Sequence, residues 1–321
     1  MQSGRAPASF IHMKSRTTKT IISLAIIIVS FCFVFLLSNF VEANRPPLPE
    51  DYADQDLALQ GAKLKDYSLG FNGLIADWYW MQSLQYVGDK FAKSGARLDL
   101  EDLKSLNVRL LYPLLDNATT LDPRFLVAYS YGAMVLPAID ANQAIKLTEK
   151  GIAANPDAWR LYQHLGYIYW RLENYEKASE VYGAGAKITG APPFLLALSA
   201  SMKNKGGDRD TARAIYRQMY DSAEDSQTKE QATLRLLELD SLEERDAIRT
   251  ALKKFKEMNG RCAQGFNEII PMLGSVKLPG GKEFRIDKSN NFVDPSDAPY
   301  ILHSKKCDIY LDPKKTKVPL G

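Results

Sequence analysis

Apolar and polar positions along this chain change rhythm four times. Ile21–Val41 is 21 residues without a charge, bounded by Lys19 and Glu42, which is long enough to cross a lipid hydrocarbon layer as one helix. A segment rich in proline and acidic residues follows, over Asn44–Asp56, and the pattern predicts a stiff extended spacer there. From Leu74 to about Met258 the apolar residues recur at helical spacing, interrupted by turn residues every 15 to 20 positions. Beyond Lys277, Gly, Pro, Asn and Asp become frequent, and Tyr300–His303 and Cys307–Leu311 alternate as two short strands about a Ser304–Lys306 turn.

The helical stretch divides further. Leu74–Gly88 is apolar over most of its circumference, with Trp78, Tyr79, Trp80 and Tyr86 broadening the arc, so it is buried on several sides or docks on something. Asp77 is the odd carboxylate among these rings, and Asp77, Trp78 and Trp80 are a candidate second contact surface. Leu100–Thr120 reads as a further amphipathic helix. Gln227–Leu239 and Ser241–Met258 read as two helices, the second opened by the capping-box signature Ser241–Glu244 and stopped by Asn259-Gly260.

Between these lies a repeat. Stepping by 34 residues from Gly166 reaches Gly132 and Ala200, and from Ala178 reaches Ala144 and Ala212. Gly185 steps back to Gly151 but forward to Met219; Tyr182 steps forward to Tyr216 but back to Thr148. Small residues at such offsets let paired helices approach closely, and a unit of this size buries its apolar face only by stacking on copies of itself. On Tyr162, Leu165, Gly166, Tyr169, Ala178 and Tyr182 the segment Trp159–Pro192 resembles the tetratricopeptide repeat family, with weaker copies on either side.

That resemblance implies an all-α solenoid of helical hairpins whose concave side takes up a partner segment. Its inward offsets fall on Leu126, Tyr129, Ala133 and Leu136, then Arg160, Gln163, Tyr167 and Trp170, then Phe194, Ala197, Ser201 and Asn204. The candidate partner-binding groove is therefore Tyr129, Arg160, Gln163, Tyr167, Trp170, Arg171 and Asn204, a mixture of rings and polar groups suited to binding a peptide. The expected organisation is a basic N-terminus over 1–19, an anchor over 20–41, a linker over 42–66, capping helices over 67–124, repeats over 125–226, helices over 227–259 and a small mixed segment over 260–321.

Charge sets the topology. The net charge is +3, and Arg5, Lys14, Arg16 and Lys19 all precede the first acidic residue, Glu42. Positive residues before the span and acidic ones after it predict a cytoplasmic N-terminus and repeats on the periplasmic or lumenal side of a cell inner membrane. A cleaved signal peptide is the alternative, and it leads to the same compartment. No basic stripe suggests a nucleic-acid partner; the partners implied are proteins, plus the membrane through the N-terminal helix.

Candidate chemistry is sparse. Cys262 and Cys307 are the pair outside the apolar run and can bridge in an oxidising compartment. The three histidines have no ligand spacing with a cysteine, so no metal is expected, nor any cofactor. No Walker loop, nucleophile elbow or zincin helix is present. The reading is a non-enzymatic, membrane-tethered scaffold or assembly factor. Its alternatives are a recognition subunit of an envelope secretion, pilus or polysaccharide system, or an enzyme with its site in the C-terminal segment.

Overall fold

A computed structural model describes residues 9–44, 61–94, 103–274 and 276–320, with 9–21 described as backbone alone. The chain divides into two compact units, Met1–Gln55 and Asp56–Gly321.

Among its described residues the first unit holds one helix, α1 (Ser9–Ala43). Within it Ile22–Ala43 is long and apolar enough to cross a membrane, and none of that stretch is buried by protein. Its 22 residues extend about 33 Å, matching a hydrocarbon core of about 30 Å. The spacer expected over Asn44–Asp56 lies, apart from Asn44, outside the described residues.

The second unit is a succession of antiparallel helices: α2 (Gly61–Tyr67), α3 (Asn72–Ser94), α4 (Leu111–Leu121), α5 (Leu126–Val135), α6 (Ala141–Ala154), α7 (Trp159–Arg171), α8 (Tyr175–Ala186), α9 (Phe194–Lys205), α10 (Arg209–Ser222) and α11 (Ser226–Asn259). From α3 onward each helix packs on the next, and α5 also packs on α7. The second helices of three hairpins, α6, α8 and α10, begin 34 residues apart because their N-caps do. Asp140 accepts from the Asn142 and Gln143 amides, Asn174 from Lys177 and Asp208 from Thr211.

Glycine lets the first two hairpins close. A Cβ on Gly166 would lie 2.5 Å from the Tyr182 ring, and one on Gly132 would lie 2.3 Å from Leu147. Gly151 and Gly185 receive Tyr129 and Tyr162 in the same way. Ala144, Ala178 and Ala212, at the matching offsets, are fully buried. Two serines caught between helices satisfy each other: the Ser179 and Ser199 hydroxyls each donate to the other's carbonyl at 2.9 Å, joining α8 to α9.

Three expectations are corrected here. Gly61–Asp66, the end of the expected linker, is helical with Tyr67 and held to α4 by the Gly61 amide donating to Asn117 Oδ1 at 2.6 Å. Leu100–Thr120 is not one helix. A short 3-10 turn at Lys104–Leu106 ends at Asn107 in the left-handed region, and α4 starts only at Leu111, where Pro113 is tolerated in the first turn. Finally, α11 runs unbroken for 34 residues. Ser241 does not cap; it is fully buried, 3.2 Å from the Tyr300 hydroxyl. With neither Gly nor Pro between Ser226 and Asn259, nothing interrupts the helix.

The last segment packs on α11. Gly260, with φ 66°, ends that helix, and a short helix α12 (Ile270–Leu273) follows. Strands β1 (Ile301–His303) and β2 (Asp308–Tyr310) pair antiparallel with Ile301 opposite Tyr310. A disulfide joins Cys262, beside the end of α11, to Cys307 in the turn between the strands.

Candidate functional site

The first helices of successive hairpins, α5, α7 and α9, line two neighbouring recesses. The larger, about 630 Å³, is walled by Trp80 and Leu84 of α3, by Leu126, Val127, Ser130, Tyr131 and Met134 of α5, and by Asp157–Leu161 at the start of α7. The smaller, about 360 Å³, lies between α7 and α9 and is lined by Gln163, His164, Tyr167 and Trp170, by Tyr182 of α8, and by Leu198, Ser201, Met202 and Lys205. Arg160 of the larger recess and Gln163, Tyr167 and Trp170 of the smaller fall at i, i+3, i+7 and i+10 along one face of α7, so the two form consecutive parts of one side of the stack.

Rings dominate this side and brace one another. Trp80 meets Phe125 and Tyr131 edge-to-face, with centroids 5.8 and 5.2 Å apart. Trp159 meets Phe194 across α7 and α9 at 6.2 Å, and Tyr167 tilts against Trp170 at 5.4 Å. The Arg160 guanidinium lies 4.5 Å from the Trp159 ring centre, a cation over an aromatic face, and remains exposed. Burial holds the His164 imidazole below its ordinary range and pushes the Tyr182 hydroxyl up to about 12, so both are neutral at pH 7. The charges lining the two recesses are Asp157, Arg160 and Lys205.

Arg160, Gln163, Tyr167 and Trp170 stand where the repeat offsets place them, on this side. Tyr129 does not, and this is a correction: it is fully buried, its ring filling the space over Gly151 and its hydroxyl donating to the Thr119 carbonyl at 3.4 Å. Ala133 and Leu136 are core as well. The first hairpin is covered by α4 and α7 together, which turns that face of α5 inward. Its open face is Leu126, Val127, Ser130 and Met134 instead.

Arg171, one residue past Trp170 and so about 100° round the helix, lines a separate recess with Lys104, Pro137, Asp140 and Leu172. Asn204 is half-buried near the end of α9, beside Lys205, and lines neither recess. Trp78 and Trp80 do not share one surface, since two residues along a helix are about 200° apart. Trp80 lines the larger recess, whereas Asp77 and Trp78 are exposed elsewhere on α3.

Val127, Met134, Trp159 and His164 went unnamed in the sequence as site residues. Val127, Ser130 or Tyr131, and Met134 do have the i, i+3/i+4, i+7 spacing of a helical face. That spacing alone cannot tell an open face from a buried one.

Two buried carboxylates, Glu244 on α11 and Asp294 in the C-terminal segment packed against it, are both committed internally. Glu244 accepts from the Tyr300 hydroxyl at 2.8 Å. Asp294 accepts from the Ser296 and Ala298 amides, at 2.8 and 3.0 Å, and from the Ser296 and Thr316 hydroxyls. Among the described residues no cluster of His, Cys, Asp and Glu is arranged to hold a metal ion. No family model matches the chain, and no curated protein matches it at a significant level.

Proposed function

We propose that this chain is a membrane-tethered scaffold or assembly factor of the tetratricopeptide type. It is anchored in a cell inner membrane with its N-terminus cytoplasmic and its hairpins in the periplasm or an equivalent lumen. The side formed by α5, α7 and α9 takes up an extended protein segment, such as part of a membrane-complex subunit. Apolar side chains of that segment enter the two recesses, while Arg160 and Gln163 meet its polar groups.

The observation that carries this reading is the row of two aromatic-lined recesses on the first helices of consecutive hairpins. Three further features support the compartment: an apolar span, flanks that are basic before it (Arg5, Lys14, Arg16, Lys19) and mainly acidic after it, where Arg45 stands among Glu42, Glu50, Asp51, Asp54 and Asp56, and a disulfide suited to an oxidising environment. Tethering raises the local concentration of partners in the same membrane, so weak contacts suffice.

The test is photocrosslinking in the native membrane from a photoreactive residue at Met134. The expected result is a discrete protein adduct that disappears in the Arg160→Ala, Trp170→Ala double variant while circular dichroism remains that of the parent. Undiminished capture by the double variant sinks the groove. A reporter fused after Gly321 that is active only in the cytosol sinks the topology.

A further inference from the structure

Apart from the groove, the described residues of the second unit leave an apolar stripe uncovered on α3 and just before it. Tyr67, Leu69, Phe71, Leu74, Trp78 and Met81 are between 50% and 89% exposed, so they are not the fringe of a core. Leu74, Trp78 and Met81 fall within an arc of about 60° on α3, and Phe71 continues that stripe just before the helix. The core face of α3, Ala76, Tyr79 and Ser83, lies opposite. No rotation of the helix could bury both.

We propose that this stripe rests in the headgroup layer of the bilayer that α1 spans. The lipid-facing ligand is thus a phospholipid surface, contacted in addition to the transmembrane helix. The proposal rests on the reading of Ile22–Ala43 as a membrane anchor. Trp, Tyr and Phe beside Leu and Met make up the composition of side chains that partition to the water–hydrocarbon boundary.

Chain length supports this occupant. Gly61 is pinned to Asn117, and only residues 44–60 separate it from the end of α1. Fully extended, those 17 residues reach about 60 Å at most, so the tether keeps the bilayer within reach of a stripe that starts six residues beyond Gly61. Lys63 and Lys65 are exposed beside Tyr67 and complement anionic headgroups. Asp66 and Asp77 are exposed too; Asp77 lies about 60° from Leu74 on the edge of the stripe. Shallow contact at headgroup level leaves that carboxylate in water, whereas deep insertion would not.

The full chain with Cys32→Ser is reconstituted into phosphatidylcholine/phosphatidylglycerol vesicles, bearing an environment-sensitive fluorophore on Leu74→Cys, Met81→Cys or, as control, Lys229→Cys on the exposed side of α11. The expected result is co-flotation with vesicles, and loss of emission at positions 74 and 81 but not 229 when doxyl-labelled lipid is included. Co-flotation with equal, aqueous-type quenching at all three positions overturns the proposal and leaves the anchor intact. Shielding at 74 and 81 that ignores doxyl lipid and grows with protein density assigns the stripe to a second copy, which also overturns it. Failure to float removes the anchor itself, and the proposal with it.

Discussion

Gly166 and Tyr182 are in contact across one hairpin, where a Cβ on the glycine would sit 2.5 Å from the tyrosine ring. The ring is 3% exposed and has nowhere to retreat. Gly166→Ala gains about 1 kcal/mol of helix propensity but overpacks a filled site, a cost of about 1–3 kcal/mol or more. The expected net result is destabilisation by about 1–2 kcal/mol. Gly88 is a helical glycine with nothing within 4 Å of its would-be Cβ, so Gly88→Ala should stabilise by about 0.5–1 kcal/mol. Urea unfolding of the two variants checks the opposite signs.

Tyr129 and Trp170 should separate stability from binding. Tyr129→Ala empties a fully buried site and should cost about 3–5 kcal/mol of folding stability. Trp170 is 38% exposed, so Trp170→Ala should cost little stability and act on partner capture. A Trp170→Ala variant that melts as early as Tyr129→Ala would refute the assignment of the two faces.

Glu244 predicts a pH dependence with a definite sign. Burial raises its carboxyl from an ordinary 4.5 to about 7, outweighing the Tyr300 hydrogen bond and the Arg285 charge that pull it down. The folded state therefore keeps the proton while the unfolded chain has already released it. The contribution is complete below pH 4.5 and is lost as pH rises through 7, a loss on the order of 3 kcal/mol. Glu244→Gln should unfold like the parent at pH 4.5 and be the more stable protein at pH 8. A stability difference between the two that stays constant over this range would contradict the mechanism.

Arg213 joins α10 to α11 by pairing with Asp240 and, at 2.6 Å, with Glu243, all three being largely buried. Arg213→Met leaves Glu243 facing an apolar side chain, while Asp240 keeps Lys282, and stability should fall by about 3 kcal/mol. Adding Glu243→Gln should restore part of it. A double variant no better than the single one would mean the pair is not what couples these helices.

The disulfide closes 45 residues and ties the strand pair to the end of α11. In the chain-entropy picture it contributes about 4 kcal/mol. Reduction, or Cys262→Ser with Cys307→Ser, should release the C-terminal segment to protease first and leave the hairpins cut at the parent rate. Hydrolysis starting in α5–α10 instead would show that the segment also supports the stack.

Offsets of 34 residues were enough to read the hairpins, because close approach of two helices demands Gly or Ala at recurring positions, a local steric need. The apolar span and the Cys262–Cys307 pairing were legible for equally simple reasons, length without charge and the scarcity of other cysteines. Continuity of α11 was not legible: Ser241-Leu242-Glu243-Glu244 has the residues of a cap, but Tyr300 and Arg213, distant in sequence, hold Ser241 and the two glutamates inside the fold. Tyr129 and Gln163 occupy equal offsets, yet one is core and the other lines a recess. Only the packing of α4 and α7 on the first hairpin decides between them. Periodicity records which side of a helix is apolar, whereas burial depends on what the rest of the chain brings to that side, and three apolar faces of α3 met three different fates for that reason.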